Sequence, residues 1–167
     1  DDGIPDLTVP GVQPCALPIF RAGRHVLVEK PMADSAPEAV RMAEAAESNA
    51  RILAVGQSRR HTTAVRYVVD NLAGFGRLRA LHESFCIKWD GPQTPWWSER
   101  SRKQGLVLSL IAPHSLDFVQ LVMGADDPLR IHAESVRHRS EWQADDEAMI
   151  LLRYPQERLV SVHLSYN

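Results

Sequence analysis

The chain has 167 residues, 44% of them hydrophobic and 24% charged, with 19 basic against 21 acidic side chains. These are average values for globular proteins, and they exclude collagen-like, coiled-coil and disordered chains. A net charge of −2 leaves no basic footprint for nucleic acid, and no apolar run approaches the roughly 20 residues that span a bilayer. Two cysteines, Cys15 and Cys86, form no disulfide or metal pattern, which suits a reduced, cytoplasmic setting.

Residues 1–20 hold four of the eleven prolines and follow neither helical nor strand periodicity. Residues 9–19, V-P-G-V-Q-P-C-A-L-P-I, resemble V-T-G-V-Q-T-C-A-L-P-I, the translation of a common short-read sequencing adapter. The expectation is therefore a non-native or disordered leader over 1–20, joined to a fragment of a longer gene product. The last residues, V-S-V-H-L-S-Y-N, read as a strand still in progress.

Beyond the leader, residues 25–29 form a short apolar run that predicts a buried strand. Ser35, with Glu38 three residues on, has the pattern of a capping box and opens a helix that runs to about Asn49. Residues 52–56 predict a second buried strand, residues 62–71 a second helix, and residues 78–87 a long strand with alternating polar positions. Strand–helix–strand–helix–strand order implies a parallel α/β sheet. After Trp89 the pattern changes to a loop with Trp96 and Trp97, a basic stretch through Lys103, and an apolar helix over 106–123 closed by Gly124. Pro113 lies inside that helix and is expected to bend it just before His114. Three strand segments, 129–138, 147–154 and 158–166, complete an α+β second unit. The expected organisation is a leader over 1–20, part of a nucleotide-binding domain over 21–88, and part of an α+β domain over 89–167.

Ligands of open parallel sheets bind outside the carboxyl ends of the strands. Glu29-Lys30-Pro31 stands at such an end. A lysine there is suited to proton transfer, and the Lys30–Pro31 bond is a candidate for the cis form. The alternative is a solvated lysine after an ordinary strand.

Three segments, in order, carry a family resemblance. Residues 21–33, R-A-G-R-H-V-L-V-E-K-P-M-A, resemble the A-G-K-H-V-L-V-E-K-P-x-A segment of the Gfo/Idh/MocA oxidoreductases. Residues 55–61, V-G-Q-S-R-R-H, resemble that family's V-G-x-N-R-R-F, with Ser58 and His61 as departures. Pro113-His114-Ser115-Leu116-Asp117 resembles the end of its D-x-G-x-H-x-x-D motif. The resemblance covers about 21–167. It implies a Rossmann domain followed by a domain with an open, mostly antiparallel sheet. It also implies hydride transfer between NAD or NADP and a hydroxyl carbon of a sugar, cyclitol or related polyol.

By match, Glu29, Lys30 and Pro31 are expected at the nicotinamide end of the cofactor, with Lys30 and His114 catalytic. His114 would take the hydroxyl proton, a role that suits imidazole. Arg60, Trp97 and Asp117 are candidates for substrate binding, with domain-junction packing the alternative for Trp97. One position departs: the family's carboxylate four residues before the histidine is Leu110 here. Asp117 then either steadies the ring in its place or is a helix-surface carboxylate, and a non-catalytic, nucleotide-binding relative is the second reading of the whole. No G-x-G-x-x-G phosphate loop occurs in the 167 residues, so this chain alone is expected to bind the cofactor poorly and to expose apolar sheet edges. No metal, nucleic-acid or membrane partner is expected, and the whole protein is expected to self-associate through its open sheet.

Overall fold

The computed structural model describes residues 13–91 and 105–167, and they divide into two compact units after Gln57.

The first unit contains α1 (Gln13–Arg21), β1 (Val26–Val28), α2 (Ala36–Ser48) and β2 (Leu53–Val55). β1 and β2 pair in parallel, Val26 opposite Leu53 and Val28 opposite Val55. His25 extends the ladder with its side chain, its Nδ1 accepting the Ile52 N–H at 2.9 Å. Residues 13–20 fall within the expected leader. They lie in α1, where Ala16 and Phe20, one helical turn apart, are buried with Val28, Met42 and Ala46. Spacing of four puts both side chains on one helix face, and that apolar pair outweighs the loss of one backbone donor at Pro18. At α2 the capping box does not form: Ser35 is the N-cap, but its side chain makes no cap hydrogen bond. Pro37 occupies one of the two positions whose N–H a cap side chain accepts, and the Ser35 carbonyl instead accepts the Ala39 N–H at 3.0 Å. Leu27 and Ile52 are 77% and 64% exposed, in line with the expected apolar exposure.

The second unit begins with a 3₁₀ turn over Ser58–His61 and continues through α3 (Thr63–Asp70), a second turn over Leu72–Phe75, β3 (Ala80–Cys86), α4 (Val107–Leu110), α5 (Ala112–Met123), β4 (Arg130–Val136), β5 (Glu147–Tyr154) and β6 (Arg158–Ser165). Its sheet has the order β3-β6-β5-β4, with β3 parallel to β6 and the other pairs antiparallel. The expected boundary at 88/89 is corrected accordingly, because β3 does not continue the β1–β2 sheet. The reason is visible in the strand itself. A strand in a doubly covered parallel sheet is apolar on both faces, whereas β3 alternates, with Leu81, Glu83 and Phe85 half-buried and His82, Ser84 and Cys86 exposed.

α4 and α5 cover one face of this sheet. Leu106, Val107, Ile111, Ala112, Val119 and Met123 pack there against the inward residues of β5 and β6, among them Ile150, Leu152, Val160, Val162 and Leu164. Among the described residues of this unit, none of the helices covers the other face. The single helix expected over 106–123 is two helices broken at Ile111, which puts Pro113 near the start of α5. A proline there removes an N–H that has no intrahelical partner anyway, so the cost assigned to mid-helix proline does not arise. β5 and β6 join through Pro155-Gln156-Glu157, and Gln156 and Glu157 have φ of 61° and 60°.

Candidate functional site

The first part lies at the end of β1. The Lys30–Pro31 peptide is cis. Glu29 is exposed and Lys30 half-buried. Gly56, just after β2, donates its N–H to the Val28 carbonyl at 2.7 Å. A Cβ at Gly56 would stand 3.4 Å from that same oxygen and 3.5 Å from the Glu29 carboxylate. Gly56 thus stands in van der Waals contact with the end of β1 and with the Glu29 carboxylate, at the carboxyl ends of the strands where ligands of open parallel sheets bind. The motif residues Glu29, Lys30 and Pro31 therefore cluster with Gly56, which sequence reasoning had not singled out.

The second part lies at the start of α5. His114 is half-buried in its first turn, and its backbone N–H reaches the Ile111 carbonyl at 2.9 Å. One turn on, Asp117 accepts a forked pair of hydrogen bonds from Arg60, Nε to Oδ2 at 2.8 Å and Nη2 to Oδ1 at 2.5 Å. Two parallel bonds from a planar guanidinium fix geometry as well as charge. The bond to Asp117 and its charge hold the Arg60 guanidinium above its ordinary pKa, against a smaller opposing effect of burial. Arg60 and Asp117, predicted separately as substrate ligands, are thus bound to each other. The pair ties the 3₁₀ turn to the helix that carries His114. Trp97, with Trp96, Arg100, Arg102 and Lys103, lies outside the described residues.

Two carboxylates just before β5 are structural. Asp145 accepts the Leu106 N–H at 3.1 Å and so satisfies a donor at the start of α4. Asp146 is fully buried and accepts the N–H groups of His138 at 3.0 Å and Arg139 at 2.7 Å. Burial alone would raise Asp146, yet the bonds from His138 and Arg139 hold its carboxyl below the usual range. Their partners lie 7 to 39 residues away in sequence, so no local pattern announces them.

Glu83 was also missed. It projects from β3 toward α5, and its Oε2 is buried with no hydrogen-bond partner among the described residues. Arg59 lies on the same side, its guanidinium carbon 3.7 Å from the Phe85 ring centroid. Burial pushes the Glu83 carboxyl up, against the pull of Ser115, Arg59 and His82. A raised folded-state pKa means stability that is present below the unfolded value of about 4.3 and is lost as pH rises through the folded one. Glu83→Gln is therefore expected to be more stable than the parent at pH 7, by about 1 kcal/mol, the scale of one relieved buried polar group. The gain shrinks toward pH 4. Urea unfolding at both pH values checks this, and equal midpoints at pH 7 would remove the strain assigned to Glu83.

Residues 64–167, well over half the chain, match the GFO/IDH/MocA C-terminal domain, and residues 13–57 match the oxidoreductase family with an NAD-binding Rossmann fold. The chain belongs to the GFO/IDH/MocA family. The two matched stretches fall one on each side of the division after Gln57. Among curated relatives, the chain is 32% identical over 122 residues to the dTDP-3,4-didehydro-2,6-dideoxy-alpha-D-glucose 3-reductase of Streptomyces violaceoruber, covering 71% of this chain and 34% of the relative. It is 26% identical over 140 residues to an uncharacterized oxidoreductase of Schizosaccharomyces pombe, covering 81% of this chain and 38% of that one. The chain thus spans little more than a third of the length of these relatives. A solved inositol dehydrogenase homolog from Azotobacter vinelandii, complexed with NADH and myo-inositol, superposes with a TM-score of 0.80 at 20% identity, over 95% of this chain and 43% of its own. At that identity the likeness establishes the Gfo/Idh/MocA fold. Among the described residues no helix is long and apolar enough to cross a membrane, and no group of His, Cys, Asp or Glu is arranged to hold a metal ion.

Proposed function

We propose that the whole protein carrying this chain is an NAD(P)-dependent dehydrogenase acting on a hydroxyl carbon of a sugar, cyclitol or similar polyol. The observation that carries this is His114 in the first turn of α5, on a helix anchored by the Asp117–Arg60 fork. An imidazole titrates near neutral pH, so His114 is suited to take the hydroxyl proton and return it in the reverse direction. Glu29, Lys30 and Pro31 would hold the nicotinamide end of the cofactor from the carboxyl end of β1. When bound, that cofactor supplies the hydride acceptor. Lys30 would polarise the substrate hydroxyl from its place at the strand end. Relatives that act on a nucleotide-linked deoxysugar or are complexed with myo-inositol support the substrate class.

The open face of the second sheet would carry self-association. Leu151 and Leu159 are 52% and 57% exposed there, and contiguous apolar exposure marks an interaction surface. A cytoplasmic location would fit the free thiol of Cys86.

The second reading, a nucleotide-binding relative without turnover, is favoured by Leu110, which stands where the family motif has its aspartate. The whole protein, assayed with a panel of polyols and sugars at the nicotinamide absorbance, separates the two. Substrate-dependent reduction supports the enzyme. Cofactor binding with no turnover across the panel supports the second reading.

A further inference from the structure

The helix-covered face of the second sheet holds a carboxyl that the proposed hydride transfer leaves unused. Glu83 stands between Leu81 and Phe85 on the inward side of β3, paired across the ladder with the fully buried Val162 of β6. Leu81 and Phe85 pack on the apolar core from that side, so a carboxyl between them breaks the pattern. Its Oε2 is buried with no hydrogen-bond partner among the described residues. The same is true of the hydroxyl of Ser115, a residue only 1% exposed. The two groups face each other: Ser115 draws on the Glu83 carboxyl as a donor, yet the bond is not closed. Stability alone would place an apolar residue at 83, because an unpaired buried polar group costs free energy that an apolar isostere does not. Such a group calls for another explanation.

Three elements converge on this pair. The 3₁₀ turn over Ser58–His61 touches β3 through Arg59, stacked on Phe85, and holds α5 through the Arg60 fork to Asp117. α5 brings Ser115, the residue directly after His114, in its first turn. Consecutive residues of one helical turn move together, so the seating of Ser115 on Glu83 sets the height and rotation of His114.

We propose that Glu83 is a positioning residue: its carboxylate accepts the Ser115 hydroxyl hydrogen in the substrate complex, and this contact fixes the first turn of α5 so that His114 meets the substrate hydroxyl. The proposal rests on the acid/base role given to His114 above. Hydrogen bonds of a catalytic site are often long without ligand and tighten in the complex with substrate, the state in which the Glu83–Ser115 bond closes. Glu83 itself touches neither substrate nor cofactor and exchanges no proton. The positive charge of Arg59 favours the ionised carboxyl beneath the helix.

Steady-state kinetics and thermal unfolding of the whole protein test this with Glu83→Met, Ser115→Ala, their combination and Glu83→Gln. Methionine keeps the length of glutamate and suits an apolar layer, but is at best a weak acceptor for Ser115. Glu83→Met is expected to melt no lower than the parent. Its kcat is expected to fall at least about tenfold with KM changed less than about twofold, the mark of a small misplacement at a catalytic group. Ser115→Ala is expected to lose a similar factor, and the double variant no more than the slower single one, because both remove one contact. Glu83→Gln, whose amide oxygen still accepts from Ser115, is expected to recover most of the loss.

Parent-like kcat in Glu83→Met or Ser115→Ala, or multiplicative losses in the double variant, overturn the proposal and leave the role of His114 intact. A fall in kcat that follows a fall in melting temperature marks a merely structural residue and overturns it as well. A parent without turnover, or parent-like turnover in His114→Asn, overturns the acid/base reading and this proposal together.

Discussion

Replacing His114 with asparagine in the whole protein is expected to lower kcat by about 10² to 10⁴, the range that a positioned acid/base contributes, with a much smaller change in KM. Asparagine keeps a polar tip near the position of the imidazole Nδ1 but cannot exchange a proton near neutral pH. Asp117→Asn makes the informative contrast. Asp117 is engaged by the Arg60 fork, so its loss should act by loosening the helix start that carries His114. The expected result is a partial loss of kcat accompanied by lower stability of the second unit. Turnover in His114→Asn equal to the parent, measured on any substrate the parent oxidises, would falsify the acid/base role.

Phe20→Ala is expected to destabilise the first unit by about 3–5 kcal/mol, the usual result of truncating a fully buried aromatic. Phe20 has no solvent exposure and, among the described residues, shares its cluster with four other buried residues, Ala16, Val28, Met42 and Ala46. A loss of that size is comparable to the whole stability of many small domains. Hydrogen-exchange protection of the β1 and β2 amides is the appropriate readout, because it reports on this unit alone. Ile19→Ala, at a 39% exposed position on the same helix, provides the control and should cost far less. Equal effects at the two positions would mean that α1 does not contribute the core packing assigned to it.

Much of the architecture was legible because local pattern and tertiary role agree. Residues 25–29 and 52–56 are short apolar runs and became the paired strands β1 and β2. The three late strands announced themselves by alternation, and β5 keeps it residue by residue, with Ala148, Ile150, Leu152 and Tyr154 inward. Failures occurred where one cue stood for two structures. Residues 13–20 look aperiodic because Pro14 and Pro18 interrupt the helical signal, yet two apolar residues four apart were enough once α2 was present to cover them. Residues 78–87 were assigned by order along the chain to the first sheet, while their alternation already matched a sheet covered on one face.

The site divides in the same way. Glu29, Lys30, Pro31, Arg60, His114 and Asp117 were singled out from the sequence because they sit in contiguous motifs that resemble the family's. Composition and periodicity determined the element types and the α/β and α+β character. Only the tertiary structure decided that Asp117 is held by Arg60, that Asp145 and Asp146 serve backbone donors, and that the Glu83 carboxyl is buried facing Ser115. The physical reason is range. Helix and strand patterns arise from neighbours a few residues apart, whereas a hydrogen bond between side chains 57 residues apart exists only after strand register and helix packing have brought them within about 3 Å.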